Sequence, residues 1–115
     1  MIYAPARCDD AAVDKDVERL IMVLERLRAL LAESEPRWAN WIAEDVHRIQ
    51  RGDGSGVSHF LAALGGMGSL NDVVFLPPDE DLETVEETRA LNERFRTLLR
   101  EAYSLATSVQ QDAED

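Results

Sequence analysis

The sequence predicts an all-α fold, a compact single-domain bundle in which two long helices, about residues 10–34 and 79–109, bracket two or three short ones. Three observations predict it. All six glycines lie between Gly52 and Gly68, so both flanks lack the residue that, after proline, most often interrupts a helix. Apolar residues recur on each flank at steps of 4, 3, 4, 3, 4: Val13, Val17, Leu20, Leu24, Leu27 and Leu31 in the first, Leu91, Phe95, Leu98, Ala102, Leu105 and Val109 in the last. A chain of 115 residues that is 45% hydrophobic has enough apolar side chain for one core and is too short for two.

In chain order, Ile21, Val23 and Leu30 widen the first stripe to that of a central core helix, and Pro36 ends it by biasing the preceding residue away from helix. A second helix begins near Pro36 with Ser34 as candidate cap and runs to about Gln50, placing Trp38, Ile42, Val46 and Ile49 on one face and Trp41 beside it. Residues 51–56 form a glycine-rich turn. Ser55 or Ser58 then opens a short third helix with Val57, Phe60, Leu61 and Leu64 inward, stopped at Gly65. Over 70–76, Ser69 with Asp72 resembles a capping box while Val-Val-Phe-Leu favours strand; the reading is a single helical turn, closed by Pro77-Pro78. Both ends of the domain, about 1–8 and 110–115, are expected to be mobile.

The formal charge is −11, from 12 basic and 23 acidic residues. Such a surface repels nucleic acid and anionic lipid unless the bases gather on one face. Eleven of the twelve bases are Arg, with Lys15 alone, interleaved with acids as intrahelical pairs require. Neither a nucleic-acid nor a membrane partner is therefore expected. The sole cysteine, Cys8, allows no intramolecular disulfide, and the first ten residues lack a signal-peptide pattern, so a reducing, cytoplasmic location is expected.

Catalytic signatures are sparse. There is no Gly-x-Ser-x-Gly elbow, His-Glu-x-x-His helix or nucleotide fingerprint, and no cofactor is expected. Cys8 has no activating base beside it, and Arg51-Gly52-Asp53 is a chance match to an adhesion tripeptide. His47 and His59, with Asp45 or Asp53, are the one group able to meet as two histidines and a carboxylate; surface or hydrogen-bonded histidines are the plainer reading.

The most distinctive string is Gly65-Gly66-Met67-Gly68-Ser69-Leu70-Asn71-Asp72. Its backbone N–H groups suit an anion, yet the Gly-Lys-Ser/Thr ending of a P-loop is missing and Asp72 opposes phosphate, so a tight turn with a serine cap competes with a binding loop. Taken with Trp38-x-x-Trp41, Ile49-x-x-Gly52-Asp53-x-x-Gly56 and Phe60-Leu61, this string resembles a family of small uncharacterised bacterial proteins. In that family a Trp-rich helix precedes a Gly-Gly-Met-Gly-Ser-(Leu/Phe)-Asn-Asp signature. The resemblance covers residues 38–76 and implies a bacterial source; some such proteins look like immunity factors of toxin systems.

Asp79, Glu80, Asp81, Glu83, Glu86 and Glu87 place six acids in nine residues. Acids complement a helix N-terminus, but six exceed what a helix start requires, and those at i,i+3 and i,i+4 repel. A docking patch for a basic protein partner is the functional reading. The expectation is thus a non-enzymatic binding module, with Trp38 and Trp41 as core or hot-spot aromatics. Two alternatives stand beside it: a ligand-binding or enzymatic domain built on Gly65–Asp72, and a homodimer through Met22, Val23 and Leu30.

Overall fold

The structure, a computed structural model, describes residues 10–65 and 68–114, with side chains over 15–65 and 68–111. Among the described residues four helices follow one another: α1 (Asp10–Leu31), α2 (Pro36–Gln50), α3 (Ser55–Ala62) and α4 (Leu82–Glu114). A single 3-10 turn, Leu70–Asp72, sits between the last two. This is the all-α bundle of two long and two shorter helices. The main helix pairs are α1 with α2 and α4, and α3 with α2 and α4, so the four close into a ring. The molecule measures 55 × 21 × 21 Å. Its section is about two helix diameters across, and its length is that of α4, about 50 Å at the α-helical rise.

The apolar stripes do what their spacing requires. Val17, Leu20, Leu24, Leu27 and Leu31 of α1 are buried together with Val23, and Phe95, Leu98, Ala102 and Val109 of α4 meet them with Leu99 and Ala106. Trp38, Ile42, Val46 and Ile49 of α2 and Val57 and Phe60 of α3 complete the core, while Trp41, Leu61, Leu64, Leu91 and Leu105 pack at its edge. Of the three proposed dimer positions Met22 is exposed, Val23 is in the core and Leu30 packs against the core.

Several boundaries differ from the sequence reading. Helix α1 stops at Leu31 rather than near 34, because Pro36 holds Glu35 outside the helical region and the Glu35 N–H closes a turn onto the Leu31 carbonyl, 2.8 Å away. Glu35, not Ser34, precedes α2, and its side chain caps nothing. Helix α4 starts at Leu82, not 79. The Asp81 N–H is drawn onto Asp79 Oδ1, 2.9 Å away, and the first helical bond runs from the Val85 N–H to the Asp81 carbonyl. It then continues to Glu114, past 109, since neither glycine nor proline follows to break it. The expected mobile segment 1–8 lies outside the described residues.

Between α3 and α4, the helical turn expected over 70–76 is present only as Leu70–Asp72; residues 73–76 are extended. Phe75 points inward and forms an edge-on pair with Phe95, at 5.5 Å and 89°, while Val74 and Leu76 point out, which is strand-like alternation without a partner strand. The partner is a side chain instead. Asn92 of α4 accepts the Phe75 N–H at 2.8 Å and donates to the Phe75 carbonyl at 3.0 Å, filling both backbone positions as a neighbouring strand would.

Candidate functional site

The acidic start of α4 projects beyond the bundle core. All six acids are exposed, but they divide by role. Asp79 and Asp81 shape the helix entry, Asp79 by accepting the Asp81 N–H and Asp81 by accepting from Thr84 Oγ1 at 3.5 Å. Glu86 is paired with Arg89, which also reaches Glu93 at 2.6 Å; the Arg89 hydrogen bond and charge hold the Glu86 carboxyl below its ordinary range. Glu80, Glu83 and Glu87 have no basic partner among the described residues. Exposed apolar side chains accompany them: Leu76 is 82% and Leu82 76% exposed, with Val74 and Val85 also outward. Leu82 and Val85 are three apart and so share a helix face.

The described residues of the glycine string are tied together by their own hydrogen bonds. Gly65 and Gly68 adopt φ of +91° and +75°, conformations that L side chains rarely take. Asn71 Oδ1 accepts the Gly65 N–H at 3.1 Å, and Asp72 Oδ2 accepts the Gly68 N–H at 2.7 Å. The two polar side chains thus satisfy loop N–H groups that an anion would otherwise take. Ser69 precedes the 3-10 turn, yet its hydroxyl caps no backbone N–H and lies 3.5 Å from Asn71 Oδ1. Gly66 and Met67 lie outside the described residues.

A third constellation joins α2 to α3. Gly52, at φ +92°, turns the chain after α2, and Asp53 Oδ1 accepts the Ser55 N–H at 2.9 Å to start α3; the Ser55 hydrogen bonds hold the Asp53 carboxyl below its usual range. Gly56 then sits against α2 so closely that an added Cβ would lie 2.7 Å from the Asp45 carbonyl oxygen. This close crossing places His59 on Asp45. The His59 Nδ1–H donates to Asp45 Oδ1, and Trp41 stacks on the imidazole at 4.0 Å and 13° while its Nε1–H donates to the His59 carbonyl at 3.0 Å. Trp38 adjoins Trp41 at 5.4 Å, with the Arg37 guanidinium 5.1 Å from its ring centroid.

Asp45 is fully buried and its Oδ2 has no partner; burial pushes its carboxyl up to about 6 despite the opposing hydrogen bond and charge of His59. An Asp-bound Nδ1 fixes the tautomer that leaves Nε2 as a base, but among the described residues no hydroxyl or thiol is hydrogen-bonded to His59. His47 is not brought to it; that ring is exposed and accepts from Arg51 at 3.3 Å. The two-histidine site therefore does not form, because the glycine turn brings α3 onto the face of α2 that carries Asp45. Among the described residues no three His, Cys, Asp or Glu side chains converge as metal ligands.

Sequence reasoning did not find a fourth feature. A groove of about 910 Å³ lies between α3 and the second half of α4, reaching Gly65 and Asn71 of the glycine string at one end. Its only signal in the sequence is the pair Arg96 and Arg100, four residues apart on one face of α4.

Residues 31–84, just under half of the chain, match the family described as Domain of unknown function (DUF6966). The match encloses α2, α3, the glycine string and four of the six acids at the entry to α4, Asp79, Glu80, Asp81 and Glu83. The chain matches no curated protein and no solved structure.

Proposed function

We propose that the protein is a non-enzymatic binding module whose acidic, apolar-flanked α4 entry occupies a basic surface of a protein partner. One observation carries this reading: Glu80, Glu83 and Glu87, without basic partners among the described residues, stand beside exposed Leu76, Leu82 and Val85 on a segment that projects from the core. Charge without apolar area steers an encounter but holds it weakly; the leucines supply contact area and the carboxylates supply rate and selectivity. In its finer form the reading is neutralisation of a toxin, by covering the basic surface with which that toxin binds nucleic acid. The resemblance of the Trp and Gly-Gly-Met-Gly-Ser motifs to a family of small uncharacterised bacterial proteins, some of which look like immunity factors, and the −11 charge support that form. A cytoplasmic location belongs to the same proposal. Among the described residues no helix is long and apolar enough to cross a membrane.

The test is a quantitative capture from lysate of the source organism, with three baits: wild type, Glu80→Lys/Glu83→Lys/Glu87→Lys, and Leu76→Ser/Leu82→Ser. The reading expects a basic protein retained by wild type and depleted from both variants. Retention unchanged by either variant, or no reproducible capture by wild type, overturns it.

A further inference from the structure

We propose that the groove between α3 and the second half of α4 binds a small organic anion, its acidic group held by Arg96 and Arg100 and its apolar body by Leu61, Leu64 and Leu99.

Neither arginine is neutralised by a neighbouring acid among the described residues. The α4 acids near them are already engaged: Glu93 by Arg89 at 2.6 Å and Glu101 by Arg19 of α1 at 2.6 Å. Arg96 and Arg100, like Arg26, Arg37 and Arg94, have no carboxylate partner among the described residues, but of these five only Arg96 and Arg100 line the groove. Like charges at i,i+4 repel along a helix, and an anion lying between the two guanidinium groups reverses that repulsion. Planar guanidinium forks suit carboxylate or phosphate oxygens, which they bind in bidentate fashion.

The remainder of the groove selects against a bare inorganic ion. Leu61, Leu64 and Leu99 give it an apolar wall, and the half-exposed Tyr103 ring stands with them along the lining. Asn71 adds a donor: its Oδ1 holds the Gly65 N–H, which turns the amide so that Nδ2, unengaged among the described residues, remains available. Gln110 and Thr107 do not compete, since Gln110 Nε2 donates to Ser58 and the Thr107 hydroxyl to the Tyr103 carbonyl. A volume of about 910 Å³ is within the range of small-molecule sites, and a few convergent donors over an apolar wall is their usual composition. The glycine string then has a second consequence: the hydrogen bond from the Gly65 N–H holds Asn71 at the groove. This site is separate from the acidic α4 entry and does not depend on it.

Titration calorimetry with octanoate, octyl phosphate, octyltrimethylammonium and inorganic phosphate tests the proposal on the intact chain. Saturable binding of octanoate or octyl phosphate is expected, with the tighter of the two identifying the acidic group, and at least about tenfold weaker binding of the cation and of inorganic phosphate. Arg96→Gln/Arg100→Gln should lose at least about tenfold, the equivalent of one charge-assisted hydrogen bond. Arg94→Gln, exposed and outside the groove, should bind as wild type does. Because all three arginines are exposed, the variants should keep the wild-type circular dichroism. Equal binding of the cation, full affinity in the double variant, or no saturable binding of either anion below about 1 mM overturns the proposal.

Discussion

Asp45 is the side chain whose surroundings contrast most with its chemistry, a carboxyl with no exposed surface, one oxygen on His59 and the other without a partner. Its carboxyl is raised to about 6 in the folded chain from an ordinary value of 3.8, and the cause is burial. The sign follows from linkage: a raised folded value favours the protonated form, so the contribution is full below about pH 4 and is lost as pH rises through about 6. Asp45→Asn should flatten that part of the stability profile, a difference on the order of 3 kcal/mol between the two pH limits, read by urea denaturation at pH 4, 5, 6 and 7. A parallel slope in the variant would assign the pH dependence elsewhere. Two glycines give a second contrast. Gly56→Ala places a Cβ against α2 backbone and should lower stability by about 1–3 kcal/mol through overpacking, whereas Gly65→Ala meets open space and carries only the positive-φ penalty of about 1–2 kcal/mol. Thermal denaturation with hydrogen exchange at Val46 separates them, since only Gly56→Ala should loosen the α2–α3 crossing.

At the scale of elements, the extended 73–76 segment is held to α4 by one side chain. Asn92→Ala removes both bonds to Phe75 and should destabilise the fold by about 1–3 kcal/mol, with faster amide exchange at Phe75 and no change in helix content. Unchanged protection of that amide would mean that the Phe75–Phe95 contact suffices. Asn92 also marks where sequence reading stops. The 4, 3, 4 spacing of Leu20, Leu24, Leu27 and Leu31 makes a buried helix face legible, because a helix repeats every 3.6 residues whatever it packs against. Asn92 lies at a partly buried place beside Leu91 and Phe95, but its partner is seventeen residues away in a different conformation, and no local period reports that. The entry of α4 misleads for a related reason: Asp79, Glu80 and Asp81 look like a helical first turn, while in space Asp79 and Asp81 fold the turn that precedes it. Sequence spacing put Asp45 and Asp53 beside the two histidines. Which pair forms was decided by Gly56, the residue whose missing side chain allows α3 to approach.

The whole molecule is a narrow bundle whose longest helix begins acidic and carries a cluster of arginines near its middle. The radius of gyration, 15.6 Å, exceeds the roughly 13 Å of a spherical chain of this length because α4, about 50 Å long, is nearly as long as the 55 Å axis. The entry to this helix, residues 76–87, carries the acids and the exposed Leu76 and Leu82; farther along, Arg94, Arg96 and Arg100 carry the opposite sign. The groove was invisible to sequence because its walls come from α3 and α4, more than thirty residues apart. The acidic entry was visible because it is contiguous. If that entry serves binding and not folding, Glu80→Lys/Glu83→Lys/Glu87→Lys should change stability by no more than about 1 kcal/mol, the scale of exposed charges near a helix start, as judged by urea midpoint.

The most direct measurement is the association rate of wild type and this triple variant with the captured basic partner, by stopped flow over about 20–500 mM salt, a range in which the screening length contracts severalfold. The account predicts a wild-type rate that falls steeply with salt and a variant rate that is slow and nearly independent of it. Equal rates with equal salt dependence would contradict it and leave the acids as a solvated helix start.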